Sequence, residues 1–247
     1  VSETEADREL DAKQPQIEDF FAKACVMPSD INEHLPLLQA LTQECVKHGR
    51  TSTNAPSGGH VTEFGLRWAT GSTVAFLAGK PKQLVSWDLE PLHVVHQNVL
   101  DLLRAVALDE RGQAKPPGQT RWQPRTGDTL EITIEETDLI FFDTLHTAKQ
   151  LLAELFRHGP KARKYIVCHD TQTFGDVGED GSTPGLLAAI NRFQKEWFPL
   201  WRVIEKRTNN NGLVVLQRET DFQKHPWRSW ITTGEGDPNA VGAPGPV

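Results

Sequence analysis

The chain has 247 residues and a formal net charge of −7, enough length for one sizeable core and an acidic balance that argues against DNA or RNA as the main partner. It contains no run of about 18 apolar residues, so no transmembrane helix is expected, and no basic start followed by an apolar stretch of the signal-peptide kind. Cys25, Cys45 and Cys168 are odd in number and lack metal-like spacing, which excludes a disulfide framework and makes a reducing, cytoplasmic setting the simplest expectation.

Residues 1–14 are acidic and polar and read as a frayed start. Ile17, Phe20, Phe21 and Ala24 then share one helical face. A second helix carries Leu37, Leu38, Leu41 and Cys45, with Ser29 or Asp30 as its cap. Residues 49–59 are rich in Ser, Thr, Asn, Pro and Gly and form a loop. From residue 60 the pattern alternates. Strands are expected at 60–66, 84–88, 120–123, 138–143 and 165–170. Helices are expected at 72–78, 94–107, 149–156 and 183–197, the last with Pro184 near its start. Two final strands, 201–206 and 212–217, are joined by the polar run Thr208 to Asn211. The tail is rich in Gly and Pro and is expected to be largely disordered. The resulting division is an N-terminal helical extension and loop (1–59), a main domain (60–220) and a C-terminal tail (221–247). Strands alternating with helices imply an α/β fold: a doubly wound, mostly parallel sheet with an antiparallel strand near its C-terminal end. Ligands of such sheets bind beyond the carboxyl ends of the strands.

Three features lie at those ends. Gly65 and Gly71 flank a strand-to-helix turn that runs into Ser72 and Thr73. Glycine lets backbone approach a ligand closely, and a helix start offers free N–H groups. The spacing is not the three-glycine dinucleotide fingerprint, which makes a nicotinamide cofactor less expected. Asp88, at the end of the next strand, is placed to accept hydrogen bonds from ribose hydroxyls, with Glu90 as a fallback. Asp128, in the Gly127–Thr129 loop, is placed to meet an adenine amino group or simply to form a turn. Trp87 and Trp122 are candidates for an apolar wall or for core.

The fourth strand runs into Asp143, Thr144, Leu145 and His146, and the fifth ends at His169 and Asp170. Asp143, His169 and Asp170 are candidate ligands for a divalent metal such as Mg2+, with His169 favouring a transition metal. A metal would lower the pKa of a substrate hydroxyl. Alternatively His146 or His169 acts as general base. The flexible, acidic stretch 173–181 reads as a lid or a loop. Arg157, Lys161, Arg163 and Lys164 form a local basic patch or a solvated helix end.

Several segments carry a family resemblance: Ser-Asp-Ile-Asn-Glu-His-Leu-Pro (29–36), Val-Thr-Glu-Phe-Gly (61–65), Gly-Ser-Thr (71–73), Leu-Ile-Phe-Phe-Asp-Thr-Leu-His-Thr (139–147), Lys-Tyr-Ile-Val-Cys-His-Asp-Thr (164–171), Thr-Phe-Gly (173–175) and Thr-Asn-Asn-Asn-Gly-Leu (208–213). Residues from about 30 to 218 resemble a widespread family of class I S-adenosylmethionine (SAM)-dependent methyltransferases. They are more distantly similar to the cephalosporin hydroxylase family and to macrolide sugar O-methyltransferases. The resemblance implies a Rossmann-like, seven-stranded fold and SAM as cofactor, with Glu63, Gly65 and Asp88 at cofactor-binding positions. It also implies metal ligands at Asp143, His169 and Asp170. His169 departs from the pattern, which has an acidic residue there.

The expected function is therefore methyl transfer, a transferase activity, to an oxygen of a small-molecule or sugar acceptor, with metal assistance as an option. Two alternatives are a metal-dependent enzyme of other chemistry, such as hydroxylation, and a non-catalytic cofactor-binding subunit. Neither a membrane nor a nucleic acid is an expected partner. The N-terminal helices are expected either to make a homo-oligomer or to cover the pocket.

Overall fold

A computed structural model describes residues 16–49, 58–67, 69–90, 101–102, 105–106 and 120–219. The frayed start, most of the 49–59 loop, most of the expected 94–107 helix and the C-terminal tail lie outside the described residues.

Helices α1 (Ile17–Val26) and α2 (Leu35–Gly49) come first, separated by a 3-10 turn, Asn32–His34. Strand β1 (His60–Phe64), helix α3 (Ser72–Ala78), β2 (Gln83–Asp88) and β3 (Arg121–Thr126) follow. Then come β4 (Thr137–Phe142), α4 (Ala148–His158), β5 (Ala162–His169), α5 (Leu186–Glu196), β6 (Trp201–Arg207) and β7 (Leu213–Arg218). The seven strands form one sheet in the order β3-β2-β1-β4-β5-β7-β6. All neighbours are parallel except β7, which runs antiparallel to both β5 and β6. The strand order reverses between β1 and β4, the place where such sheets open a crevice for a ligand.

Period-two alternation sends the two faces of β4 into two cores. Leu139 and Phe141 join the core under α1, α2 and α3. Ile140 and Phe142 join the core under α4 and α5. Both faces of the central strands are covered, so they read as continuous apolar runs. The N-terminal helices are integral to this packing: Ile17, Ile31, Leu35 and Leu38 share the first core with Val61 and Phe76.

Several expected boundaries move. The 183–197 helix starts only at Leu186, because Gly185 holds an extended backbone (φ −88°, ψ −160°) and the residue before Pro184 is kept out of the helical region. The short strand at 120–123 continues to Thr126 despite Pro124, which an edge strand tolerates. Helix α4 is capped by Thr147, whose side chain accepts a hydrogen bond from the Gln150 N–H. The helix expected to be capped by Ser29 or Asp30 starts only at Leu35, after the 3-10 turn; Ser29 Oγ instead accepts from the Asn32 N–H at 3.0 Å at the start of that turn. Among the described residues no helix is long and apolar enough to cross a membrane.

Candidate active site

The carboxyl ends of β1, β2, β4 and β5 meet at one rim. Gly65 leaves β1 with φ +93° and presses against the end of β4, where a β-carbon would lie 1.9 Å from the Asp143 carbonyl oxygen. At the far end of the turn, a β-carbon on Gly71 would meet the Ile31 side chain at 2.9 Å. The turn is therefore fixed from one side by β4 and from the other by the N-terminal segment.

Glu63 sits beneath this turn and is wholly buried. Its carboxylate accepts hydrogen bonds from Ser72 Oγ at 2.6 Å, Thr73 Oγ1 at 2.9 Å and Ser86 Oγ at 2.5 Å. Burial pushes its pKa up to about 7, and the three hydroxyls hold back some of that rise. Glu63 thus ties β1 to β2 and to the start of α3. Its carboxylate and the Ser72 hydroxyl bond to each other inside the protein, which positions the turn. Trp122 donates Nε1–H to Ser86 Oγ at 3.0 Å and is 7% exposed, which makes it core rather than pocket wall.

Asp88 stands at the end of β2. It accepts from the Arg67 N–H at 2.8 Å and from the Glu90 N–H at 3.0 Å, so it orders the glycine turn from the outside. Asp128 accepts from the Leu130 N–H at 2.8 Å, the geometry of a side-chain turn. Behind it, the buried Glu154 on α4 accepts from Thr129 at 2.6 Å and Thr144 at 2.9 Å. That pair of bonds links the loop after β3 to the loop after β4.

A cavity of about 360 Å3 opens between the N-terminal segment and the turn, lined among others by Lys23, Ser29, Gly65, Arg67, Ser72 and Asp143. Its size is in the range of small-molecule sites, about 300–1,000 Å3. Asp143 connects this cavity to the acid and histidine cluster. Asp143 Oδ1 lies 3.3 Å from His169 Nδ1 and 3.4 Å from His146 Nε2. Asp170 Oδ2 lies 3.4 Å from the first nitrogen and 2.8 Å from the second. Asp143, His169 and Asp170 offer donor atoms within 4.8 Å of one another.

Neither imidazole has an open nitrogen. His146 Nδ1 is 2.6 Å from Glu179 Oε2, and His169 Nε2 is 3.1 Å from the Asp30 carbonyl. Burial opposes charging the two rings, but hydrogen bonds to Asp143 and Asp170 outweigh it and raise both to about 10. Reciprocally, burial acts to raise the two carboxyls, but their hydrogen bonds to the histidines win and hold both below the ordinary range. Asp143 is the member of the cluster that lines the cavity.

Three contributors escape a reading of strand ends. Glu179 arrives from the 173–181 stretch, whose Phe174 also stacks on His146 at 4.8 Å and 10°. Asp30 contributes only a backbone carbonyl. His34, fully buried, joins the N-terminal turn to the β6–β7 connection through Asn210 O at 3.1 Å. The basic patch is largely spent locally: Arg163 pairs with Asp138 at 2.9 Å and Arg157 donates to the carbonyls of Ile132 and Glu131.

No family model matches the sequence, and no curated protein matches it either. Solved structures do match. An O-methyltransferase from Bacillus cereus, in complex with SAH, has a TM-score of 0.52 at 17% identity, covering 87% of this chain and 98% of its own. A protein from Corynebacterium glutamicum has a TM-score of 0.52 at 17% identity, covering 82% and 88%. A candidate caffeoyl-CoA O-methyltransferase from Staphylococcus aureus has a TM-score of 0.51 at 13% identity, covering 83% and 93%. The chain shares its fold with these proteins: the Rossmann-like, seven-stranded sheet with an antiparallel strand near the C-terminus.

Proposed function

We propose that the protein is a SAM-dependent methyltransferase acting on an oxygen of a small-molecule acceptor, with a divalent cation at the β4–β5 rim. The observation that carries this reading is the junction of the glycine turn, the 360 Å3 cavity and Asp143 at the point where strand order reverses. The fold shared with the SAH-bound O-methyltransferase from Bacillus cereus supports it.

When bound, SAM supplies an electrophilic methyl group for an in-line displacement, in which position and orientation carry much of the rate. Asp88 and the turn that it orders are suited to the ribose. Gly65 admits close backbone approach, and Glu63 keeps the turn in place from below. The loop carrying Asp128 is suited to the adenine side.

The rim also fits a cation. Its donors are carboxylate oxygens and an imidazole nitrogen, and Asp170 Oδ1 is buried without a hydrogen-bond partner. The Asp30 carbonyl, 3.1 Å from Nε2, orients the His169 ring with Nδ1 facing both carboxylates, the usual support for a metal-ligating histidine. Asp143, His169 and Asp170 would hold the ion, which supplies Lewis acidity to an acceptor hydroxyl. Asp143, held ionised, is a weak base and a good ligand. Its task would be to hold and orient the acceptor hydroxyl, whose proton would pass to solvent.

The experiment is transfer of labelled methyl from SAM to a panel of hydroxylated small molecules, sugars included. Labelled product from the wild type and its loss by at least about 10-fold in Asp143→Asn support the reading. SAM binding without transfer to any acceptor favours the cofactor-binding subunit instead.

A further inference from the structure

Asn210, Asn211 and Gly212, in the connection between β6 and β7, follow one another in the left-handed region with φ of +48°, +66° and +89°. Asparagine is among the few residues with a side chain that tolerate this backbone. The turn is closed by its own backbone, the Gly212 N–H donating to the Asn209 carbonyl at 2.8 Å, so the Asn210 side chain is not needed to make it. On one side the Asn211 carbonyl accepts from the N–H groups of Gln172 and Thr173 at 2.8 and 3.1 Å. It thereby seats the start of the stretch that brings Phe174 and Glu179 to His146.

On the other side the turn grips the N-terminal segment. The Asn210 carbonyl lies 3.1 Å from His34 Nε2. The Asn210 amide, oriented to satisfy both of its ends, donates to the Ser29 carbonyl at 2.7 Å and accepts from the Glu33 N–H at 3.0 Å. Asn209 donates to the Glu33 carboxylate, and Arg207 Nη1 to the Glu33 carbonyl at 3.4 Å. Ser29, Asp30 and Ile31 of the segment held in this way form part of the cavity wall. The Asp30 carbonyl also faces His169 Nε2 at 3.1 Å. None of residues 208–212 lines the cavity, so the turn acts on it only through the segments it holds.

We infer that Asn210 is a positioning residue for the cavity: its amide clamps residues 29–33 to the β6–β7 turn, on which the 173–181 stretch is also seated, and so fixes the wall and the Asp30 carbonyl against the site. A turn asparagine commonly bonds its own neighbouring backbone, whereas the amide of Asn210 bonds a segment from the opposite end of the chain. Without it the segment keeps the Ser29 Oγ bond to the Asn32 N–H and the burial of Ile31 and Leu35. Loss of the amide should therefore loosen the wall without unfolding the protein. The consequence for SAM rests on the proposed function, while the clamp itself does not.

The test compares the full-length wild type with Asn210→Gly, which keeps the left-handed backbone and the carbonyl facing His34 but deletes the amide. Asn211→Gly is the control, since it relieves the same kind of backbone and removes a side chain that makes no hydrogen bond to a described residue. Amide hydrogen exchange, the NMR resonances of the His169 ring and calorimetric titration with SAM are read on all three proteins. In Asn210→Gly, exchange at residues 29–34 should quicken about 10-fold or more, the loss of two hydrogen bonds, while β1 and β4 exchange as in the wild type. The His169 ring resonances should shift, because the carbonyl behind Nε2 moves with the segment, and SAM should bind about 10-fold more weakly. Asn211→Gly should match the wild type in all three. Unchanged exchange and ring resonances in Asn210→Gly, or the same changes in Asn211→Gly, would overturn the inference. If Asn210→Gly does not fold, Asn210→Asp, which loses only the bond to the Ser29 carbonyl, makes the same comparison. SAM bound equally by wild type and Asn210→Gly sinks this inference alone. Quickened exchange and shifted resonances with no SAM binding by the wild type sink the methyl-donor reading alone.

Discussion

Gly65 and Asp143 meet backbone to backbone, so the turn that follows β1 is seated on the end of β4, with 1.9 Å between the Asp143 carbonyl oxygen and any β-carbon placed on Gly65. A side chain at 65 would push the ends of β1 and β4 away from each other and would also have to hold φ near +93°. Gly65→Ala is expected to destabilise the protein by about 2 kcal/mol or more. Urea unfolding would measure it, and an unchanged midpoint would show that the strand ends are not in contact.

Glu63 gives a pH signature. Its pKa is raised from 4.5 to about 7, chiefly by burial. Between those values the folded protein keeps a proton that the unfolded chain has lost, so stability falls as pH rises through the window. The loss totals about 3 kcal/mol. Glu63→Gln carries no such proton. Its unfolding free energy should gain on the wild type by about that amount between pH 4.5 and 8, and parallel curves for the two proteins would contradict the buried, protonated Glu63.

His158 pulls the other way. It is 1% exposed and close to the Thr129 carbonyl oxygen at 2.7 Å. Burial is the leading cause that lowers its pKa from 6.5 to about 4. The unfolded chain therefore takes up a proton that the folded protein refuses, and stability falls as pH drops through that window, again by about 3 kcal/mol. In His158→Gln this acid-side slope should vanish. NMR titration of the ring in the folded protein offers a second reading, and a midpoint near 6.5 would refute the buried neutral state.

Much of the rim was legible because strand ends are legible. The apolar runs before Asp143 and His169 announce β4 and β5, and parallel pairing of Phe142 with Cys168 brings the following residues together. Asp88 follows from the same logic on β2. Glu63 was found as a position but not as a structural tie: its three hydroxyl partners come from β2 and α3, and which face of a doubly covered strand a side chain enters is not written in a continuous apolar run. Glu179, Asp30 and His34 were illegible for another reason. They reach the cluster through loop folding and through backbone groups, and neither has a sequence period. Gly185 delayed α5 past Pro184, where composition alone suggested an earlier start.

The claim on which the account turns is that this rim binds SAM, and calorimetric titration of the metal-stripped protein with SAM tests it directly. The measurement is made on the wild type and on Asp88→Ala, with and without added Mn2+ or Mg2+. The account predicts a dissociation constant of about 1–100 μM for the wild type, weakened about 10- to 100-fold in Asp88→Ala through loss of charged hydrogen bonds to the ribose and to the Arg67 N–H. Absence of binding under every metal condition, or equal binding by the variant, would contradict it.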